Sequence, residues 1–162
     1  MPAPLSVELP SDREILITRD FDGPADLVFA CWTQPKLVRR WLTGPDGWEF
    51  VTCEIDLRVG GKYRFVWKNV DGVVMGMGGT YREIKPAKRL VSSELFDEDW
   101  TGGETISTID FIEEGKRTRT LNRIVYSSKE ARDGALKTGM ADGMEAGYRR
   151  LDTMLADGPA KV

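Results

Sequence analysis

The segment 117–155, RTRTLNRIVYSSKEARDGALKTGMADGMEAGYRRLDTML, changes its hydrophobic period near Ser127. Before Ser127 the side chains alternate with a period of two, which is typical of a half-buried strand. After it, apolar side chains recur at steps of three and four, as on one face of an amphipathic helix. These are Leu136, Met140, Met144, Tyr148, Leu151 and Leu155. The segment therefore predicts a sheet that is followed by a long C-terminal helix lying across it.

Three glycines follow one another every four residues on a neighbouring stripe of this predicted helix, at Gly139, Gly143 and Gly147. Each glycine destabilises a helix by about 1 kcal/mol relative to alanine. We therefore expect a compensating close approach of the helix to the sheet, with Gly143 packed against it. Ser127 and Glu130 have the spacing of a capping box and predict where the helix begins.

Upstream of this segment the period of two continues back to about residue 50, and the breaks fall at Gly, Pro, Asn and Asp positions. The predicted strands in this part of the chain cover 51–57, 62–68, 73–84, 89–96, 105–113 and 117–126. Short hairpin connections between most of them favour an antiparallel meander. Glycines at 76, 78 and 79 indicate a bulge or a close backbone approach in the third of these strands.

The N-terminal part predicts one further strand, at 14–21, and two short helices. Pro24 and Pro35 each stand where the first turn of a helix accepts proline, and apolar residues follow both at helical spacing. We expect residues 1–12 to form a loose N-terminal segment, 13–156 to form one domain, and 157–162 to form a C-terminal tail.

The composition predicts a soluble globular chain. Hydrophobic residues make up 41% and charged residues 30% of the 162 residues, and the net charge is −3. An acidic chain lacks the basic excess that phosphate backbones require, so we expect no nucleic-acid partner. No apolar run approaches the roughly 20 residues that cross a bilayer. We therefore expect no membrane span and a cytoplasmic location.

The chain contains no histidine, which excludes several kinds of catalytic and metal site. Ser-His-Asp and Cys-His nucleophiles, histidine-bound zinc and histidine proton switches are all ruled out. Cys31 and Cys53 lack CxxC spacing, so we expect two reduced thiols and neither a zinc site nor a redox motif. The sequence thus predicts no catalytic residue, no metal and no cofactor, and acid–base chemistry would need Asp, Glu, Lys or Tyr with a shifted pKa.

Four stretches together resemble a known superfamily. They are 21–41 with Pro24, Pro35 and Trp41, DLRVGG at 56–61, GTYREI at 79–84, and GMEAGY at 143–148. Their order and spacing are similar to those of the START-like (SRPBCC, helix-grip) superfamily over about residues 13–156. More narrowly, they resemble bacterial relatives of the C-terminal domain of the activator of heat shock protein 90 ATPase. The resemblance implies an α+β helix-grip fold, β-α-α-β6-α, with a curved antiparallel sheet around the C-terminal helix.

A curved sheet that grips a helix can leave a concave space between them, and small-molecule sites favour such spaces. Methionine fills irregular gaps and adapts to varied ligands, and large aromatic side chains would form the walls. The candidate cavity residues are Trp41, Phe65, Trp67, Met75, Met77, Met140, Met144 and Tyr148. An ordinary hydrophobic core made of the same residues is the alternative.

For several charged residues on the predicted strands, the sequence does not determine on which face of the sheet the side chain lies. They are Glu54, Arg64, Glu94, Arg119 and Arg123. Any of them that points inward would offer a ligand a polar group to bind, because a buried charge needs a partner.

Three function classes stay open at this point. The first is a non-enzymatic module that binds an apolar or amphipathic small molecule between sheet and helix. The second, implied by the resemblance, is a protein-interaction module of chaperone-cofactor or regulatory type with a place in the stress response. The third is an enzyme using Asp, Glu, Tyr or Arg in the cavity, which the absence of a nucleophile motif disfavours. The sequence determines neither the ligand nor the oligomeric state.

Overall fold

Eight strands and four helices make up the part of the chain that the computed structural model describes, residues 2–98 and 102–158. The strands are β1 Ser6–Glu8, β2 Glu14–Phe21, β3 Trp48–Ile55, β4 Lys62–Asn69, β5 Val74–Lys85, β6 Arg89–Phe96, β7 Thr105–Glu114 and β8 Arg117–Val125. The helices are α1 Ala25–Thr33, α2 Pro35–Trp41, α3 Lys129–Lys137 and α4 Met140–Asp157. The predicted α+β helix-grip class is confirmed.

All strands belong to one curved antiparallel sheet with the order β1-β2-β8-β7-β6-β5-β4-β3. The run from β3 to β8 is the predicted meander, and β2 joins it beside β8 because α1 and α2 carry the chain from one end of the sheet to the other. The close approach predicted in β5 is present at Gly79. A Cβ there would collide with the carbonyl oxygen of Ser93, so only glycine allows β5 and β6 to pair at this point.

One face of the sheet is buried, and strand β2 shows this most clearly. Its side chains alternate between half-buried and buried, with Ile15, Ile17, Arg19 and Phe21 pointing inward. This inner face meets the helices, whose own buried residues complete the core. The period of two read from the sequence therefore identifies the buried face correctly.

The predicted loose N-terminal segment is not loose throughout. Strand β1 lies within it and pairs with β2, with Val7 opposite Ile17. Just before β1, the backbone N–H of Leu5 donates to Oε1 of Glu145 on α4 at 2.9 Å. This strand could not be predicted from the sequence, because its three residues, all of them exposed, show no apolar period.

The C-terminal helix is divided in two, which corrects the prediction of one long helix. Gly139 adopts φ +79° at the junction, a left-handed conformation that favours glycine and ends the helical path of α3. Ser128, rather than Ser127, caps α3 and accepts a hydrogen bond from the N–H of Ala131 at 3.0 Å. At the other end α4 extends to Asp157, the first residue of the predicted tail, and residues 159–162 lie outside the described ones.

The glycine row does not pack against the sheet as predicted. Gly143 is exposed, and a Cβ on it would meet nothing within 4 Å. Gly147 is buried against α2 instead, where a Cβ would lie 3.4 Å from the carbonyl oxygen of Trp41 and 3.6 Å from its ring. Of the three glycines, one therefore turns the chain, one faces solvent, and one lets α4 approach α2.

A buried ion cluster attaches α4 to the sheet. The Arg19 side chain is completely buried, and its two terminal nitrogens donate to both carboxylate oxygens of Asp152 at 2.9 Å. The same guanidinium binds Glu145 through Nε at 3.2 Å and Nη2 at 2.9 Å. Its carbon lies 5.0 Å from the ring centre of Phe21 and 5.8 Å from that of Tyr148. We call these five residues the Arg19 cluster.

Replacing Arg19 should be strongly destabilising. Arg19→Met leaves the buried Asp152 without a cation and Glu145 with the exposed Arg149 as its remaining cation, and it should lower the free energy of unfolding by about 3–5 kcal/mol. Arg119→Met is the matched control, because Arg119 pairs with Asp20 on the exposed surface and such pairs add little. Urea unfolding of both variants measures the difference. Equal loss in the two variants would contradict the role assigned to the cluster.

The two helical glycines should respond in opposite directions to substitution. Gly143→Ala should stabilise the protein by about 0.5–1 kcal/mol, because the position is helical and open. Gly147→Leu should cost about 1–3 kcal/mol, because its side chain has to enter the space that Trp41 occupies. Thermal unfolding of the single variants tests this, and a destabilised Gly143→Ala protein would show that the residue packs after all.

Candidate functional site

The inner face of β6, β7 and β8 carries a group of polar side chains. Residues directly opposite each other in an antiparallel pair share a face, and Ser92 stands opposite Ser107 as Glu94 stands opposite Thr105. Asn122 on β8 joins them, since the Ser107 hydroxyl donates to its Oδ1 at 2.8 Å. We call these five residues the inner polar strip.

Glu94 is the charged member of the inner polar strip. Its neighbour Leu95 is 45% exposed on the outer face, so the Glu94 side chain points inward. Burial raises the pKa of this carboxyl to about 7, and a hydrogen bond from Thr105 partly opposes the shift. The residue as a whole is nevertheless half-buried, with part of its surface accessible. Glu94 is thus a carboxyl in a low-dielectric setting that is not fully packed.

The sequence left open which face of the sheet five charged residues lie on. The four other than Glu94 point outward. Glu54 is exposed on β3, and the three arginines each bind a carboxylate at the surface. The pairs are Arg64 with Asp97, Arg119 with Asp20 and Arg123 with Glu14. Among the five residues singled out from the sequence, Glu94 is therefore the inward one.

Three buried tyrosines from three different elements interact electrostatically with Glu94. Tyr63 comes from β4, Tyr126 follows β8, and Tyr148 belongs to α4. Burial raises the pKa of each phenol, to about 12 for Tyr126, and the nearby charge of Glu94 raises all three further. We call Glu94, Thr105 and these three tyrosines the Glu94 site.

Two of the tyrosine hydroxyls are already engaged as donors. The Tyr63 hydroxyl donates to the carbonyl oxygen of Ser93 at 2.7 Å. The Tyr126 hydroxyl donates to Sδ of Met140 at 3.6 Å, which ties this predicted cavity residue to the Glu94 site. The oxygens of both hydroxyls keep lone pairs for accepting further hydrogen bonds.

The eight predicted cavity residues fall into two groups, of which the first lies on α2 and α4. Trp41 and Tyr148 are buried with ring centres 5.9 Å apart, and Trp32 lies 4.8 Å from Trp41. The Trp41 indole N–H donates to the carbonyl oxygen of Cys31 at 2.8 Å. Trp41 therefore packs the two short helices onto α4. Met140 and Met144, also on α4, are partly buried against the core.

The second group lies on β4 and β5. Phe65 pairs with Met77, and Trp67 pairs with Met75 two positions further along β4. Phe50 packs on this group from β3, with ring centres 5.8 Å from Phe65 and 5.0 Å from Trp67. The Trp67 indole donates to the carbonyl oxygen of Leu42 at 2.9 Å. All but Met75 are buried, so this group forms the core at that end of the sheet.

The outer surface near α2 and α4 has an open depression of about 340 Å³. Its lining residues are Arg40, Arg150, Thr153, Met154 and Asp157. It contains none of the predicted cavity residues and is open to solvent. The depression therefore does not correspond to the predicted site.

The remaining chemistry-bearing residues add no further site within 2–98 and 102–158. No group of three or more Cys, Asp or Glu side chains in these ranges could hold a metal ion. Cys31 and Cys53 are buried and free, and burial raises the pKa of the Cys31 thiol to about 11. No helix in the same ranges is long and apolar enough to cross a membrane.

A comparison with family models now places the chain. The model described as Activator of Hsp90 ATPase homolog 1-like protein matches residues 22–156, most of the domain just described. The chain belongs to this family. The predicted resemblance to bacterial members of the START-like superfamily is thereby confirmed, and the Hsp90 activator homologue family supports ligand binding or a cofactor-type role in general terms. No functionally curated protein matches the sequence.

Solved bacterial structures show the same fold as this family member. A Rhodobacter sphaeroides protein is 33% identical, with 96% of this chain and 99% of that chain covered and a TM-score of 0.91. A solution structure from Arthrobacter aurescens is 26% identical over 94% and 91% of the two chains, with a TM-score of 0.81. A Nitrosomonas europaea protein, at 21% identity, 94% and 99% coverage and a TM-score of 0.81, shares the fold.

The raised pKa of Glu94 predicts a pH-dependent effect of its substitution. In the unfolded chain this carboxyl titrates near 4.5, and in the folded protein near 7. Its contribution to stability is therefore full below pH 4.5 and is lost as the pH rises through 7. Glu94→Gln removes that loss and should be more stable than the wild type at pH 8 by roughly 1–3 kcal/mol, with little difference at pH 4.5.

Urea unfolding of the wild type and Glu94→Gln at the two pH values measures this effect. Glu54→Gln is the control, because Glu54 is an exposed glutamate on β3, and it should show no such pH-dependent gain. An equal response of both variants would mean that Glu94 is solvated like an ordinary surface carboxylate.

Proposed function

We propose that this protein is a non-enzymatic module that binds an apolar or amphipathic small molecule between the inner face of the sheet and α4. The binding domain is 13–156, and the candidate wall residues are those of the two groups above together with the Glu94 site. Membership of the family already supports a START-like module of a ligand-binding or cofactor type in general terms.

The observation that carries the proposal is the state of Glu94. Its carboxyl is desolvated strongly enough to raise its pKa to about 7, yet the residue is half-buried rather than fully buried. Bulk water would hold the pKa near its ordinary value. The combination of desolvation and partial exposure supports a binding site beside the inner polar strip for a ligand with one polar end.

The absence of histidine favours binding over catalysis. Glu94 is the one acidic side chain of the inner polar strip, and a second titrating acid or base is missing from that strip. Acid–base catalysis generally needs a positioned donor and acceptor with separated pKa values. We keep a cytoplasmic location and a role in the stress response as predictions that accompany this function.

Filling the proposed space should prevent binding of an apolar fluorescent probe. Met144→Trp enlarges a partly buried side chain of α4 and should weaken binding of 1-anilinonaphthalene-8-sulfonate or a neutral analogue at least tenfold, with the fold retained. Leu95→Trp places the same ring on the outer face of β6 and should leave binding unchanged. Fluorescence titration measures both variants, and binding that survives Met144→Trp would locate the site elsewhere.

A protein-interaction role is the second candidate. Val70, Val73 and Val74 are 85%, 53% and 58% exposed around the hairpin between β4 and β5, and exposed apolar side chains that lie together often mark partner surfaces. The same titration separates the two functions, since a wild type that binds no probe would favour the partner surface.

A further inference from the structure

We propose that the open depression between α2 and α4 is a second binding site, which takes a small phosphate monoester that carries hydroxyl groups, of the sugar-phosphate type. In this site the phosphate binds Arg40 and Arg150, and the hydroxyl groups bind Thr153 and Asp157. All four residues line the depression. The site is separate from the proposed small-molecule site on the inner face of the sheet, so either one can exist without the other.

The depression lies beside the point where α4 approaches α2 most closely. A Cβ on Gly147 would lie 3.4 Å from the carbonyl oxygen of Trp41 there. Beyond this point α4 lines the depression with residues at steps of three and four, which share one face of a helix. They are Arg150, Thr153, Met154 and Asp157, and Arg40 lines it from α2. The volume of about 340 Å³ falls within the range of small-molecule sites, about 300–1,000 Å³.

The two arginines of the depression differ from most other arginines of the chain, which bind a carboxylate. Among residues 2–98 and 102–158, neither Arg40 nor Arg150 has such a partner, although Asp157 lines the same depression. Two guanidinium groups and one carboxylate give the lining a net charge of +1, in a chain whose net charge is −3. An anionic ligand supplies the negative charge that these two guanidinium groups lack.

Arg150 is held in place by the protein itself. The residue is half-buried, and its Nη2 donates to the carbonyl oxygen of Gly44 at 3.1 Å. A guanidinium has several N–H donors, so this bond leaves the others for a ligand. A side chain that is already anchored loses less conformational freedom when it binds. Arg150 thus offers a preorganised set of donors, and Arg40, exposed in the last turn of α2, adds a second set.

Two guanidinium groups from different helices match a phosphate monoester better than a carboxylate. A guanidinium binds two oxygens of an anion through two parallel hydrogen bonds, and a carboxylate has only two oxygens in all. A phosphate monoester has three terminal oxygens and close to two negative charges near neutral pH. It can therefore engage Arg40 and Arg150 at the same time.

The other end of the depression offers hydrogen-bond acceptors. Asp157 lies two turns beyond Arg150 along α4, about 10 Å away. The Thr153 hydroxyl donates to the carbonyl oxygen of Arg149 at 3.3 Å, so its oxygen keeps lone pairs. Hydroxyl groups of a ligand can donate to both residues, whereas inorganic phosphate meets Asp157 with a like charge. Met154, which is buried, gives the depression an apolar surface for the carbon skeleton.

The experiment titrates four small molecules into the isotope-labelled protein: glucose 6-phosphate, glucose, gluconate and inorganic phosphate. Two-dimensional NMR spectra follow the backbone amides of Arg40 and Arg150 and the Nε–H groups of their side chains. Glucose 6-phosphate should shift these signals and bind at least tenfold more tightly than each of the other three. Added salt should weaken this binding, because the depression is open to solvent.

Variants locate the binding site, and the same spectra show that each variant keeps the fold. Arg40→Gln and Arg150→Gln should each weaken glucose 6-phosphate binding at least tenfold, and Arg40→Lys, which keeps the charge but loses the planar fork, should fall between Arg40→Gln and the wild type. Arg39→Gln is the matched control on the same helix, because the Arg39 guanidinium lies 5.9 Å from the ring centre of Phe50, and it should leave binding unchanged. Asp157→Asn should bind inorganic phosphate more tightly than the wild type does.

A lipid head group could carry the same phosphate, so a second measurement separates the two sources. Co-sedimentation is measured with phosphatidylcholine vesicles that contain or lack phosphatidylinositol 4-phosphate. Binding of glucose 6-phosphate without vesicle binding supports a free ligand. Vesicle binding without binding of glucose 6-phosphate would overturn the proposal of a free ligand.

Three results would overturn the site itself. They are a wild type that does not bind glucose 6-phosphate, an equal loss of affinity in Arg39→Gln and Arg40→Gln, and a wild type that binds inorganic phosphate as tightly as glucose 6-phosphate. None of these results bears on the fluorescent-probe titration of the inner face, which tests the proposed function separately.

Discussion

The guanidinium of Arg19 holds the two layers of this fold together. It is fully buried, and it binds Asp152 and Glu145 on α4 from the middle of β2. Such a charge is stable inside a protein only when its partners are in place. The position of α4 over the sheet is therefore set by a bidentate geometry with little tolerance, whereas apolar contacts alone would allow α4 to slide. This attachment therefore also sets the separation between α4 and the sheet at the inner polar strip.

The two charged groups of the inner face differ in how their charges are paired. Arg19 is satisfied within the protein, so it fixes structure, while Glu94 is desolvated with a hydroxyl as its partner. A fold optimised for stability alone would not keep such a carboxyl. Proteins retain unfavourable groups where a function needs them, and the stability lost at Glu94 is of the size that a bound partner can restore.

Much of the fold could be predicted from the sequence, because the period of two and the helical spacing report directly on burial. The order of β2 to β8 with α1 and α2 follows from it, while β1 and the division between α3 and α4 do not. The glycines of β5 indicated the close approach at Gly79, and the family was indicated by the resemblance of four sequence stretches. The site could be predicted less well. In β6, apolar and polar residues occupy both faces, so a shift of one residue reverses the facing of Glu94. Only the pairing with Thr105 on β7 resolves it.

The long sequence separation between Arg19 and Asp152 affects how the chain reaches its native state. Asp152 is 133 residues away along the chain, and β2 also pairs with β8. During synthesis Arg19 stays hydrated and cannot bind its partners on α4 until nearly all of the protein has emerged. Closure of so long a loop slows folding and prolongs the exposure of unpaired strands. Premature termination anywhere before α4 would release a product that cannot complete its interior.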